Sequence, residues 1–139
     1  MAYITGGRIT KNFSLAEMAN KEAADAIKLE LSPEVVEHAK MMQELRDWYG
    51  KPLNVSSWYR TETFNKKIGG ASNSAHLDGR ATDINNIPEG LYGDFAIAWE
   101  AICAIHKKIG GVELYNWGMH FDSYSDKFGY REFRKKDNR

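Results

Sequence analysis

The stretch Ser74-Ala75-His76-Leu77-Asp78-Gly79-Arg80-Ala81-Thr82-Asp83 sets a histidine and two aspartates around a glycine. The segment Arg80 to Ile84 predicts a strand, and Gly79 before it suits a backbone turn. Histidine and aspartate supply the nitrogen and oxygen donors that suit zinc. Six residues separate His76 from Asp83, too many for neighbouring turns of one helix. The spacing fits one ligand on a loop and another on the strand that the loop enters.

A third donor has to come from elsewhere. Downstream, Val112 to Tyr115 and Met119 to Ser123 predict two closing strands joined by a loop containing Asn116 and Gly118. His120, in Trp117-Gly118-Met119-His120-Phe121-Asp122, stands on the second of them and could lie beside the Asp83 strand. Three protein ligands, His76, Asp83 and His120, would hold one zinc ion and leave a fourth position to water, the pattern of a catalytic site. Cys103 is the single cysteine, so neither a cysteine-rich structural zinc site nor an intramolecular disulfide is available. It lies in an apolar helical stretch and reads as a small buried hydrophobe.

Upstream, Ser14 and Glu17 form a capping-box pattern that opens a helix towards Lys28. Ser32-Pro33 starts another helix, with Val35, Ala39, Met42, Leu45 and Tyr49 at helical spacing and Gly50 as the stop. Leu53 to Trp58 predicts a short strand, and Thr61 to Lys67 a short helix ended by Gly69-Gly70. Phe95, Ala98, Trp99, Ile102, Ile105 and Ile109 form a further helical stripe, ended by Gly110-Gly111. Helices come first and strands cluster later. That order predicts an α+β fold, with N-terminal helices packed on a small, mainly antiparallel sheet that carries the zinc site, over a doubly wound one.

The whole chain, 139 residues with 42% hydrophobic and 27% charged residues, fits one soluble globular domain. Nineteen basic residues balance nineteen acidic ones, which gives no overall field for nucleic acid or an anionic membrane. No apolar run approaches the ~20 residues that span a bilayer. The opening MAYITGGRITKNF does not read as a signal peptide, so the chain is expected in the cytoplasm on synthesis, as a monomer, until something else delivers it. The basic segment from Arg131 to Arg139 reads as a solvated, frayed tail, with contact to an anionic wall polymer as the alternative. His38 falls on a charged helical face and His106 in a last helical turn, where a cation suits the dipole; neither reads as a ligand.

The run Ser57-Trp58-Tyr59-Arg60, then Asn65, Gly69-Gly70 and Ser74-x-His76-x-x-Gly79-x-Ala81-x-Asp83, resembles the zinc D-alanyl-D-alanine carboxypeptidase family. That family includes vancomycin-resistance dipeptidases and phage endolysins that cut L-Ala-D-Glu bonds, and it is related in fold to the hedgehog signalling domain. The opening Phe13-Ser14-Leu15-x-Glu17 is similar to the start of its small phage and prophage members. The resemblance covers about residues 12–124 and leaves 125–139 as the basic tail.

The resemblance implies a zinc metallopeptidase acting on peptide bonds of bacterial peptidoglycan, with His76, Asp83 and His120 as ligands of one ion. It implies that Arg60 binds the substrate carbonyl or carboxylate and stabilises the developing oxyanion, a task suited to a fixed cation with paired donors. Ser74 would either bond substrate or stabilise its loop. The family's general base is absent at its usual places, which are Trp117 and Gly118 here. Asp122, two residues after His120 and so on the same strand face, could serve as the base or could orient His120. Glu113, on the preceding strand, could reach across the hairpin or stand as an exposed strand residue. The missing base supports an alternative, a catalytically inactive, zinc-stabilised module that binds cell wall or protein on the same scaffold. Trp58, Tyr59, Tyr115 and Trp117 would line a groove beside the metal or pack in the core.

Overall fold

The computed structural model describes residues 2–3, 10–14, 30–31, 33–58, 66, 69–70, 79–124 and 129–139. Two helices, α1 (Pro33–Tyr49) and α2 (Tyr92–Ile105), pack on a five-stranded sheet. The sheet is built from β3 (Val55–Ser57), β4 (Ala81–Ile84), β5 (Gly111–Tyr115), β6 (Gly118–Asp122) and β7 (Arg134–Asp137), in the order β3-β4-β6-β5-β7. A two-residue ladder, β1 (Ala2–Tyr3) with β2 (Glu30–Leu31), stands apart from it. The helix expected from Ser14 towards Lys28 and the short one at Thr61 to Lys67 fall outside the described residues, save at their edges.

Helix α1 ends where its sequence says it should. Gly50 takes φ 75, and its N–H donates to the Arg46 carbonyl at 2.9 Å. Its inner face buries Val35, Ala39, Met41, Met42 and Leu45. Helix α2 buries Phe95, Trp99 and Ile102, but it stops five residues before the glycine pair. Lys107, at φ 56, closes it in a Schellman arrangement: Lys107 N donates to Ala104 O (3.1 Å) and Lys108 N to Cys103 O (2.9 Å). Ile105 is consequently left 75% exposed rather than buried with its stripe. A side chain at a left-handed position costs about 1–2 kcal/mol that glycine avoids, against a glycine entropy cost of roughly 0.5–1 kcal/mol. Lys107→Gly should therefore raise stability by roughly 0.5–1 kcal/mol, read as a higher urea midpoint at unchanged slope.

Alternation along the strands divides the sheet into two faces. Val112, Leu114, Met119, Phe121 and Ile84 join the helices in one core, closed by Trp58 and Trp99. Thr82 shares that face, and it explains the buried His38. Far from lying on a charged surface, His38 is fully buried, with Nδ1 2.7 Å from Ser123 Oγ and Nε2 3.0 Å from Thr82 Oγ1. Trp58 and Trp99 meet its ring edge-to-face at 5.6 and 5.8 Å. Both ring nitrogens are satisfied, so the histidine ties α1 to the backs of β4 and β6 without leaving a buried polar atom unpaired.

The sheet is mainly antiparallel, as expected, with one parallel pair that makes it mixed. Strands β3, β4, β6 and β5 pair antiparallel, whereas β7 joins β5 in parallel. This corrects the frayed tail expected from composition: Arg134 to Asp137 form an edge strand. Arg139 extends the attachment by bonding Asp137 and Glu89 and lying over the Tyr92 ring. Among the described residues no helix is long and apolar enough to cross a membrane.

Candidate metal centre

The face turned away from the helices carries a polar row set by strand register. Asp83 on β4 stands opposite His120 on β6, and His120 stands opposite Glu113 on β5. The next row places Ala81, Asp122, Gly111 and Arg134 side by side across those three strands and β7. Residues directly opposite each other, and i/i+2 neighbours on one strand, share a face, so five functional groups converge from four strands.

His120 is at the centre. Its Nδ1 lies 2.9 Å from Asp83 Oδ1 and its Nε2 3.0 Å from Asp122 Oδ2. Burial opposes a charge on this imidazole, but the bonds to Asp122 and Asp83 outweigh it and push its pKa up to about 10. Asp122 is fully buried and also accepts from an Arg134 terminal nitrogen at 2.5 Å. The same nitrogen donates to Glu113 Oε2 at 2.9 Å. Glu113 further accepts from Tyr115 Oη (2.9 Å) and Asn138 Nδ2 (2.8 Å). Burial raises the Glu113 pKa, but the charges of His120 and Arg134 prevail and hold it below the usual range. The row thus alternates in charge along Asp83, His120, Asp122, Arg134 and Glu113.

Of the residues singled out from sequence, Asp83, His120, Asp122 and Glu113 come together; His76, Arg60, Ser74 and Tyr59 lie outside the described residues. Among the described residues no group of three His, Cys, Asp or Glu side chains is placed to hold a metal ion. The juxtaposed Asp83 oxygen and His120 nitrogen are a donor pair of the kind that zinc takes, and they lack a third member within that set. Trp58 belongs to the core: it is fully buried, donates Nε1 to the Gly79 carbonyl at 2.8 Å and meets Phe13 edge-to-face. Gly79 has φ 70, as its turn requires. Tyr115 and Trp117 instead stack at 4.7 Å on the hairpin, with Trp117 45% exposed.

The remaining candidates are structural. Cys103 is buried, and burial together with Asp122 and Glu100 pushes its thiol pKa far up, which leaves it inert as a nucleophile. His106 caps the end of α2 and bonds Glu37 (3.1 Å) and Glu44 (2.9 Å) on α1, joining the two helices.

Arg134 is the site residue that sequence reasoning missed, since a run of charges at 134–137 resembles a solvated segment. The signal that could have found it is Gly111. A Cβ there would lie 2.9 Å from the Arg134 carbonyl oxygen and 3.0–3.1 Å from its Cβ and Cζ. Gly110 is equally constrained, because a Cβ there would overlap the Asp122 carbonyl oxygen and stand 2.5 Å from Cys103 Sγ. The pair read from sequence as a helix stop is therefore a packing device on β5 and its approach.

A family model described as Peptidase M15 matches residues 11–121. No curated protein matches the chain.

Proposed function

The chain belongs to the peptidase M15 family, and from that membership we propose that it is a zinc metallopeptidase hydrolysing peptide bonds of bacterial peptidoglycan. The observation that carries this reading is the pairing of Asp83 with His120 across β4 and β6, inside the segment that the family model covers. Asp83 and His120 would hold the ion together with His76. The ion, when bound, supplies Lewis-acid polarisation of the scissile carbonyl.

The chain's own residues divide the remaining work. Nδ1 of His120 faces Asp83, so that nitrogen adjoins the oxygen donor and Nε2 is left to Asp122. A carboxylate on the far nitrogen fixes the tautomer and the ring plane of a metal-ligating histidine. This favours Asp122 as the residue that orients His120 over Asp122 as the base. Glu113 retains solvent contact, at 21% side-chain exposure, and its lowered pKa keeps it anionic at neutral pH. It is our candidate for accepting a proton. Arg60 would stabilise the oxyanion and Ser74 would bond substrate.

A second reading, the inactive zinc-stabilised binding module, draws on one observation: Asp122 and Glu113 are both already bonded to Arg134. The assay that separates the two is peptide release from purified peptidoglycans of differing cross-link chemistry, with the chain supplied with zinc. New amino termini or released D-alanine support the peptidase. Zinc uptake and wall binding without release, beside an active control lysin, support the module. Since the substrate lies outside the membrane, we also propose that a phage lysis system or another export route brings the protein to it.

A further inference from the structure

We propose that Arg134 is a positioning residue of this centre, acting on the metal-ligand histidine through Asp122, and that Gly111 is the gap through which it reaches. The inference rests on the reading of His120 as a ligand. Arg134 lies thirteen positions beyond the matched segment 11–121, so the family match itself gives it no role.

Arg134 starts on β7, at the sheet edge, and its guanidinium ends on Asp122 of β6, with β5 between them. Such a path over a strand is open only if the strand presents no side chain at the crossing. The crossing residue is Gly111, register partner of both Arg134 and Asp122. The φ of Gly111 is not among the positive values of the chain, so its lack of a side chain answers to space and not to backbone conformation. The arginine side chain is only 9% exposed at the end of this path. One terminal nitrogen bonds both carboxylates, and on Asp122 it meets the same Oδ2 that lies against His120 Nε2. Asp122 is fully buried, so a cation on its carboxylate counts for more there than it would in water. The guanidinium thus fixes the very oxygen that faces the imidazole, and with it the orientation offered to the ring. Partners of this kind typically change metal affinity or activity by ~10–100-fold when lost.

The test uses the full chain and zinc alone, with affinity measured by competition against a chromophoric chelator, folding by circular dichroism, and kcat and KM on peptidoglycan fragments. Arg134→Met, which keeps bulk and removes charge, is expected to weaken zinc binding by ~10–100-fold and to lower kcat more than it raises KM. Arg134→Lys should recover part of the affinity. Gly111→Ala keeps the arginine but obstructs its path, and should weaken zinc binding in the same direction. A folded Arg134→Met with wild-type zinc affinity overturns the proposal; if that variant does not fold, a folded Gly111→Ala with wild-type affinity does so. Absence of zinc uptake by the unmutated chain overturns the reading of the centre itself, and the arginine's role with it.

Discussion

His120→Ala should leave a chain that takes up no stoichiometric zinc and releases wall peptides about a thousandfold more slowly, or not at all. The Lewis-acid contribution of a catalytic metal is worth several kcal/mol, and each 1.36 kcal/mol is tenfold in rate. Losing the proposed ligand that faces Asp83 would forfeit that contribution while leaving the core face of β6, Met119 and Phe121, untouched. Stability changes as well, because Asp83 loses its bond to the imidazole. Removing one partner of this partly buried pair leaves the Asp83 carboxylate less compensated, so stability falls. The pH dependence has a definite sign. A histidine held up to about 10 by its carboxylates contributes stability in full below its ordinary value of 6.5, and loses it as pH rises through the folded value. A metal taken up on the same ring competes with that proton, so zinc affinity should climb as pH is raised. Chelator competition across pH checks both halves: a pH-independent affinity, or normal zinc content in His120→Ala, contradicts the assignment.

Gly118→Ala should be the most damaging single-methyl addition in the hairpin. A Cβ at 118 would overlap the Ile84 carbonyl oxygen and approach the Asn85 Cα to 2.9 Å, and φ at this position is 157. Every obstructing atom is backbone at the end of β4, so nothing flexible can give way. The strands must part where Ile84 pairs with Met119, one register step from Asp83 and His120. Overpacking of this kind costs ~1–3 kcal/mol, occasionally more; with only backbone to yield, about 3 kcal/mol is expected. Urea unfolding measures the loss, and zinc affinity should fall with it because the two donors sit on the separated strands. A variant as stable as the parent would show that β4 and β6 are less closely apposed than described.

How much of this was legible in the sequence depends on the range over which each signal acts. Strands β4, β5 and β6 and the helix at Pro33–Tyr49 follow from local periodicity and turn residues, and their ends fall within a residue or two of expectation. Asp83 and His120 could be picked out as zinc-type donors on expected strands with a family resemblance behind them, Asp122 by strand alternation from His120, and Glu113 by its place across the hairpin. His38 could not, since the hydroxyls that satisfy it are 44 and 85 residues away and nothing in its helical neighbourhood announces burial. Arg134 escaped for a related reason: an edge strand paired on one side needs no apolar alternation, so β7 reads as a charge run. The end of α2 was misplaced because Lys107 adopts a conformation usually left to glycine. The glycines that seemed to end the helix answer instead to close approach from β6 and β7.

The order of the strands also dictates an order of events. The hairpin of β5 and β6, which sets Glu113 against His120, joins near neighbours in the chain and can close in about 1–10 microseconds. Asp83 reaches His120 only across 37 residues, with α2 folded between them, so the two donors meet late, when most of the sheet is already in place. An ion held as proposed, through both residues, would find no complete site in the early hairpin. Its influence should accordingly fall on how slowly the finished protein comes apart, and hardly at all on how quickly it forms.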